Sequence, residues 1–327
     1  MHILVTGAAG MIGRKLTARL LAGGELAGQP IKGLHLVDVI PVDVVAGALD
    51  GSGVTSEVVD LTEAGAAQTL VERSAADPYD VVFHLAGVVS GEAEVNLAKG
   101  LAVNLDGTRA LLDAFAAADG CPRIVFTSSI AVFGAPFPDV IPDEFHLTPL
   151  TSYGAQKAMC EFLLADYSRR GLINGIGIRL PTISVRPGKP NAAASGFFSG
   201  IIREPLAGAE AVLPVSRDVV HTHASPRSAI NYLIHAAAVS ADDLGPRRNL
   251  TMPGVAVTVG EQIEALGRIA GPDAVALIRE EGDELVQTIV AGWPTRFSTD
   301  RADALGFVGE AIYDEIIHAY IEDETAS

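Results

Sequence analysis

Residues 1–13 read MHILVTGAAGMIG. The apolar run Ile3-Leu4-Val5 leads through Thr6 into Gly7-Ala8-Ala9-Gly10-Met11-Ile12-Gly13, after which Ile12, Leu16, Leu20 and Leu21 recur at helical spacing. A strand, a glycine turn and a helix therefore follow one another. Gly7 permits the sharp turn, Gly10 lets the backbone approach a pyrophosphate, and Gly13 lets the helix pack against the sheet. The helix start presents N–H groups and a partial positive charge to phosphate, so Gly7, Gly10, Met11, Ile12 and Gly13 are candidates for binding a dinucleotide.

The chain has 327 residues, more than one core usually serves, so a large domain with a smaller companion is expected. Hydrophobic residues make up 49%, enough for a sizeable core and against disorder. The 40 acidic residues outweigh 23 basic ones, and a net charge of −17 repels nucleic acid and anionic membranes. The two cysteines, Cys121 and Cys160, form no disulfide framework and fit a reducing cytoplasm. No cleaved leader is expected, because cleavage would remove the phosphate turn, and no apolar run approaches the length of a membrane span.

A second strand, Leu34–Val37, ends at Asp38. A carboxylate there accepts both ribose hydroxyls of an adenosine and repels a 2′-phosphate, which favours NAD over NADP. A glycine-rich loop accounts for its spacing from the first glycines, somewhat longer than the usual ~20 residues. Arg14 argues the other way, since its guanidinium can reach a 2′-phosphate. A third strand, Val54–Val59, ends in Asp60-Leu61, with Asp60 as acceptor for the adenine amino group. A helix around 63–75 precedes the apolar strand Val81–Leu85, which runs into Ala86-Gly87-Val88. Small residues let this backbone pass close to the cofactor, so Leu85, Ala86 and Gly87 join the candidates.

Ser90 follows at the carboxyl end of that strand, where ligands bind in open α/β sheets. It either contacts substrate or caps the next helix. Residues 94–118 read as one long helix that buries Leu101, Leu105, Leu111, Leu112 and Phe115. Asn104 lies inside it; an amide there bonds a neighbouring backbone more readily than a ligand, and it is kept among the candidates for cofactor contact. With a fifth strand at Arg123–Thr127, the alternation of strands and helices implies an α/β fold, a Rossmann-type doubly wound parallel sheet.

The fifth strand ends in Thr127-Ser128-Ser129, and Ser152-Tyr153-Gly154-Ala155-Gln156-Lys157 opens a helix running to about residue 170. Tyr153 and Lys157 are four apart and share one helix face. Oxidation of an alcohol removes a proton from oxygen as carbon gives up hydride. A tyrosine with an ordinary pKa near ~10 is a poor base at neutral pH, and a nearby ammonium lowers it. Tyr153 is therefore the candidate general acid/base, Lys157 its tuner and a ribose contact, and Ser129, rather than Ser128, the hydrogen-bond partner of the reacting oxygen.

TGAAGMIG (6–13), Asp38, HLAG (84–87), FTSSIAVFG (126–134), YGAQK (153–157) and WP (293–294) together resemble the extended short-chain dehydrogenases/reductases, a group that includes nucleotide-sugar epimerases and dehydratases. SGEAEV (90–95), LTSYGAQKA (150–158), RLPTISVRPGKPN (179–191), SGFFSGIIREPL (195–206) and GWPTRF (292–297) are similar to the D-erythronate dehydrogenase family over nearly the whole chain. The resemblance implies NAD-dependent oxidation of a four-carbon sugar acid at C2, with Ser129, Tyr153 and Lys157 at the catalytic positions. It also implies a homodimer that pairs helices 94–118 and 153–170. Two departures weaken the epimerase alternative. The sixth strand, Gly175–Leu180, ends in Pro181-Thr182 where sugar-nucleotide enzymes carry an aromatic and Asn, and Phe133 replaces the tyrosine of their TVYG. A non-catalytic NAD-sensing protein would commonly lack the tyrosine or the lysine.

Pro181 and Thr182 are expected beside the nicotinamide. The basic turn at 186–191 offers Arg186 first and Lys189 second as partners for a substrate carboxylate, against an internal ion pair for Arg186. SGFFSGII (195–202) reads as a lid over the substrate or as plain packing. His221 and His223 share one face of a strand, and His221 is a candidate substrate contact; no Cys or Glu cluster accompanies them, so no metal is expected. Residues 1–180 make up the expected NAD-binding domain, with 215–248 returning to it, and 181–214 with 249–327 the smaller substrate-binding domain.

Overall fold

In the computed structural model, residues 1–42, 53–188 and 195–324 are described. Two compact units form. The first takes Met1–Ser129, Thr151–Arg179 and Ile230–Leu250; the second takes Ile130–Leu150, Leu180–Ala229 and Thr251–Ser327. Residues 130–150 and 215–229, grouped with the first domain on sequence, cluster with the second unit.

The first unit is built on strands β1 (His2–Thr6), β2 (Gly33–Asp38), β3 (Val54–Val58), β4 (Val81–His84), β5 (Arg123–Ser129), β6 (Asn174–Leu180) and β7 (Asn249–Thr251). They lie in the order β7-β6-β5-β4-β1-β2-β3. β1 pairs in parallel with both β2 and β4, β2 with β3, and β4 with β5. The chain moves outward from β1 to β3, then returns to place β4 on the other flank of β1. That reversal makes a topological switch point at the carboxyl ends of β1 and β4, where a crevice for ligand opens. β1 is buried on both faces, with Ile3, Leu4 and Val5 at 0% exposure, which explains its unbroken apolar run.

Helices α1 (Met11–Gly23), α2 (Ala66–Arg73), α3 (Thr108–Ala117) and α4 (Ser152–Arg169) accompany the sheet. Leu4, Leu70, Val82, Leu111, Phe115, Ile124, Phe126 and Leu164 form one core cluster. Burying each such side chain contributes about 1.5–3 kcal/mol. Arg123 ties the returning segment to β5: its Nε donates to Ala236 O at 3.1 Å, and its Nη2 to Val239 O.

The single helix expected over 94–118 is not formed. Short helices at Ser90–Val95 and Leu97–Gly100 are followed by a π-helical turn, Leu101–Gly107, and then by α3. Leu111, Leu112 and Phe115 are buried as expected, whereas Leu101 and Leu105 are half-buried. The wider turn carries Asn104 inward to 1% exposure.

In the second unit, strand Val220–Ala224 pairs antiparallel with Val255–Thr258 and parallel with Thr182–Ile183. Helices α5 (Gly196–Leu206), α6 (Val259–Ala270) and α7 (Tyr313–Glu324) enclose a core of Phe198, Ile201, Ile202, Ile263, Leu266, Tyr313, Ile316 and Ile317. Thr258 and Glu261 close a capping box at the start of α6. Asp143 holds the 130–150 segment, accepting from Thr251 N at 2.7 Å and from Arg301 Nη1 at 2.5 Å. Phe133 packs on Phe145 and Phe297. Among the described residues, no helix is long and apolar enough to cross a membrane.

Candidate active site

The glycine turn is as tight as its sequence implies. Gly7 has φ +74°, and a Cβ on it would lie 2.6 Å from Ala86 N, so the loops after β1 and β4 touch at the switch point. A Cβ on Gly13 would lie 2.2 Å from Gly7 O. α1 starts at Met11 after an N-cap glycine, Gly10, with no side-chain cap and no acidic residue in its first turn. Its leading N–H groups are thus left to an anion. Such a backbone cradle, closed to any side chain, fits a dinucleotide pyrophosphate.

Asp38 ends β2 and turns toward this cradle. Its Oδ2 accepts from Ala9 N at 2.9 Å and its Oδ1 from Val39 N at 2.8 Å. Arg14 donates through Nη1 to Ala9 O at 2.9 Å, which engages the guanidinium with the turn itself. Asp60 accepts from both Thr62 N (2.9 Å) and Thr62 Oγ1 (2.7 Å) through Oδ1, a local turn of its own. Leu61 packs against Gly107. Leu85 extends the β1 ladder by donating to Thr6 O at 3.1 Å.

Thr151 caps α4 by accepting from Gly154 N at 3.0 Å, which sets Tyr153 in the first turn and Lys157 one turn later. Lys157 is buried, its Nζ donating to Thr127 O at 2.8 Å and lying 4.7 Å from the Phe126 ring centre and 5.7 Å from that of Tyr153. Burial pulls its pKa down to about 8, against the opposing pull of Cys160 and Glu161. Ser129 is half-buried at the end of β5. Ser128, its neighbour, is committed elsewhere: its hydroxyl donates to Glu161 Oε1 at 2.6 Å. Glu161 also holds Arg179 through Nε (2.9 Å) and Nη2 (2.8 Å), a buried pair that joins α4 to β6.

Asn104 bonds a backbone, as an amide inside a helix tends to, but at Val88 rather than in its own helix. Its Oδ1 accepts from Val88 N at 2.8 Å, and its Nδ2 donates to Gln156 Oε1 at 2.7 Å. Ser90 does not cap the following helix; Val89 occupies the N-cap and Ser90 is the first helical residue.

Sequence reasoning missed His84. It is 2% exposed and bonds Thr6 Oγ1 (2.7 Å) and Thr108 Oγ1 (2.9 Å). Thr108 donates its hydroxyl proton to Asn104 O at 2.7 Å, so it accepts from His84 Nε2–H, and His84 Nδ1 accepts from Thr6. Burial pulls the His84 pKa down to about 3 and keeps the ring neutral. The signal was the HLAG motif itself: a polar ring at the end of a fully apolar strand needs partners.

The remaining candidates belong to the second unit. Pro181 is buried, and Thr182 Oγ1 bonds His221 Nε2 at 2.7 Å. His221 stacks on Phe198 with centroids 5.1 Å apart, beside Trp293 at 5.3 Å. Burial pulls its pKa down to about 4. His223 shares that face, as its spacing from His221 implies, with its ring edge on Phe198. Gln262 Nε2 donates to His223 Nε2 at 2.9 Å, which leaves the His223 proton on Nδ1, facing Ser184 Oγ at 3.3 Å. Arg186 donates through Nε to Ile183 O (2.9 Å) and through Nη2 to Ser195 Oγ (2.7 Å). Lys189 lies outside the described residues. No group of three or more His, Cys, Asp or Glu that could hold a metal occurs among the described residues.

Residues 3–223 match the NAD dependent epimerase/dehydratase family. The chain is 45% identical to D-erythronate dehydrogenase of Cupriavidus necator, over 99% of this chain and 98% of that one. It is 36% identical to D-erythronate dehydrogenase of Haemophilus influenzae, over 98% and 99%. Among solved structures it superposes with TM-score 0.94 on a protein described as the nucleoside-diphosphate-sugar epimerase from Agrobacterium tumefaciens, at 57% identity, covering 100% of this chain and 95% of that one. A GalE-like L-threonine dehydrogenase from Cupriavidus necator shares the fold, with TM-score 0.84 at 23% identity over 99% of both chains.

Proposed function

The chain belongs to the NAD dependent epimerase/dehydratase family, and we propose that it oxidises a four-carbon sugar acid, D-erythronate, at C2 to the 2-oxo acid. The observation that carries the catalytic part is the buried Lys157, whose Nζ lies over the Tyr153 ring while donating to the strand that ends at Ser129. The substrate part is supported by the two full-length relatives that bear the D-erythronate dehydrogenase name.

In this reading NAD is held by the glycine turn at Gly7, Gly10, Met11, Ile12 and Gly13, by Asp38 on the ribose, and by Asp60 and Leu61 around the adenine. Leu85, Ala86, Gly87, Asn104, Pro181 and Thr182 line the rest of its path. When bound, NAD supplies the hydride acceptor. Tyr153 takes the proton of the C2 hydroxyl as the C2 hydrogen departs with its electron pair. Ser129 donates to the reacting oxygen, and the Lys157 ammonium favours the tyrosinate. Arg186, with Ser90 and His221, receives the sugar acid, its guanidinium suited to the carboxylate. The acting species is a homodimer in the cytoplasm.

The 57% identical structure with an epimerase title favours a second reading, in which the same trio serves a nucleotide sugar. Phe133, buried where the epimerases carry their TVYG tyrosine, supports the sugar-acid reading. The test is NADH formation at ~340 nm with D-erythronate and NAD, beside L-threonate, NADP and a UDP-hexose. Turnover of D-erythronate with NAD is the expected result. Conversion of the UDP-hexose with no turnover of either acid would replace the proposed substrate.

A further inference from the structure

Gln156 directly precedes Lys157 and is 1% exposed. Its Oε1 accepts from Asn104 Nδ2 at 2.7 Å, and Asn104 Oδ1 accepts from Val88 N at 2.8 Å. The polarity of this chain admits one orientation. Val88 N is a donor, so the Asn104 oxygen faces it; the Asn104 NH2 then faces Gln156, whose oxygen must turn toward it. The Gln156 Nε2 is thereby left buried with no hydrogen-bond partner among the described residues. It lies against Gly100, where a Cβ would come within 2.6 Å of it.

A buried amide donor without a partner costs stability. Methionine would occupy much the same volume without that unpartnered donor but would leave the Asn104 NH2 only its longer 3.3 Å contact to Val88 O, so the two residues differ little in stability and chiefly in how they orient Asn104. The work of this side chain lies in its oxygen. The Asn104 amide it orients flanks the same backbone as Lys157: a Cβ on Gly87 would lie 2.9 Å from Asn104 Oδ1 and 3.7 Å from Lys157 Nζ. The π-helical turn at Leu101–Gly107 carries Asn104 into this place.

We propose that Gln156 is a positioning residue for catalysis, fixing the Gly87–Val88 backbone against Lys157 through the Asn104 amide. This rests on the reading of Tyr153 and Lys157 as the catalytic pair. Gln156 touches neither substrate nor cofactor and acts only through its neighbour. Gly100 serves the same device by leaving room for the unpartnered amide end.

The test compares wild type with Q156M, G100A and the double variant, assayed with D-erythronate and NAD, with Y153F alongside. Q156M is expected to lower kcat roughly ten- to a hundredfold while leaving the NAD dissociation constant within about twofold. Its Tm should stay within about 2 °C of wild type, since the variant removes one unpartnered donor and weakens the bond of another, whereas a merely structural role would lower it clearly. Amide hydrogen exchange at Val88, which needs no activity, should quicken. G100A should reproduce the kcat loss by displacing Gln156, and the double variant should be no worse than Q156M. The proposal is overturned if Q156M keeps wild-type kcat and Val88 protection, or if kcat and Tm fall together. An active Y153F would overturn the catalytic pair and this proposal together. An inactive Y153F beside a wild-type Q156M would overturn the positioning role alone.

Discussion

Asp38 Oδ2 accepts from the backbone N–H of Ala9 at 2.9 Å, so the carboxylate at the end of β2 is fastened to the glycine turn after β1. One side chain thus shapes the glycine turn and, under the proposed function, presents negative charge to the adenosine ribose. D38N keeps an acceptor for Ala9 N and removes the charge. It should raise kcat/KM for NADP at least about tenfold while NAD still supports turnover. D38A loses the acceptor as well and should weaken NAD binding further. Steady-state kinetics with both cofactors checks both variants; an unchanged NADP value in D38N would remove Asp38 from the discrimination.

Tyr153 is set in the first turn of α4 by the Thr151 cap, one turn ahead of the buried Lys157. Y153F should lower kcat by about a thousandfold, at the scale of a lost acid/base, while the NAD dissociation constant moves less than about threefold. Calorimetric titration with NAD beside the turnover assay separates the two effects.

The adjacent serines should behave differently. Ser128 donates to Glu161 within a buried network that includes Arg179, so S128A should cost about 1–3 kcal/mol of stability and spare most of kcat. S129A should do the reverse: Tm close to wild type and kcat reduced about a hundredfold. Thermal melts and kinetics on the pair decide which hydroxyl serves the reaction.

His84 and His221 are buried neutral, their pKa values pulled down to about 3 and about 4 by loss of solvent. The unfolded chain titrates its histidines near ~6.5, so between that pH and the folded values it binds more protons than the native protein. Stability contributed by these two rings is therefore complete above pH ~7.5 and falls as pH drops through ~6.5. At pH ~5 each ring accounts for a loss of about 2 kcal/mol. Tm should drop steeply from pH ~7.5 to ~5, and H84N, though less stable at pH ~7.5, should lose less over that interval. Parallel curves for the two proteins would rule out His84 as a source of the acid sensitivity.

Phe162 on α4 is 65% exposed, and Met159 beside it is 38% exposed. If this face meets a second copy of the chain, F162D should convert dimer to monomer by light scattering without changing the far-ultraviolet spectrum. A wild-type protein that is already monomeric would discard the homodimer reading.

What was legible in the sequence is what depends on near neighbours. The turn from Gly7 to Gly13, the apolar strands, the start of α4 at Ser152 and the spacing of Tyr153 and Lys157 all read directly. The break in the helix over 94–118 did not, because apolar residues at 101, 105, 111, 112 and 115 suit a straight helix equally well. The pull on Asn104 comes from Val88, 16 residues away, and Gln156, 52 residues away. His84 was opaque for the same reason, since its partners Thr6 and Thr108 are 78 and 24 residues distant. Thr182 and His221, read separately as cofactor and substrate contacts, share a hydrogen bond across 39 residues that no local pattern announces.

The sheet of the first unit is finished late. β6 ends at Leu180, yet the strand that covers its outer flank, β7, begins at Asn249. Gly177 N donates to Arg248 O at 2.9 Å as part of that closure. During translation, β6 therefore stands as an unpaired edge while residues 181–248 are being made. At ~5–20 residues per second this lasts several seconds, long enough for edge-to-edge pairing with another nascent chain. The unit bearing the glycine turn becomes complete once residue 250 has emerged, whereas the unit bearing Arg186 and His221 must wait for Thr251–Ser327. A pause in synthesis between the emergence of Leu180 and that of Asn249 would lengthen the vulnerable interval, and a pause after residue 250 has emerged would not.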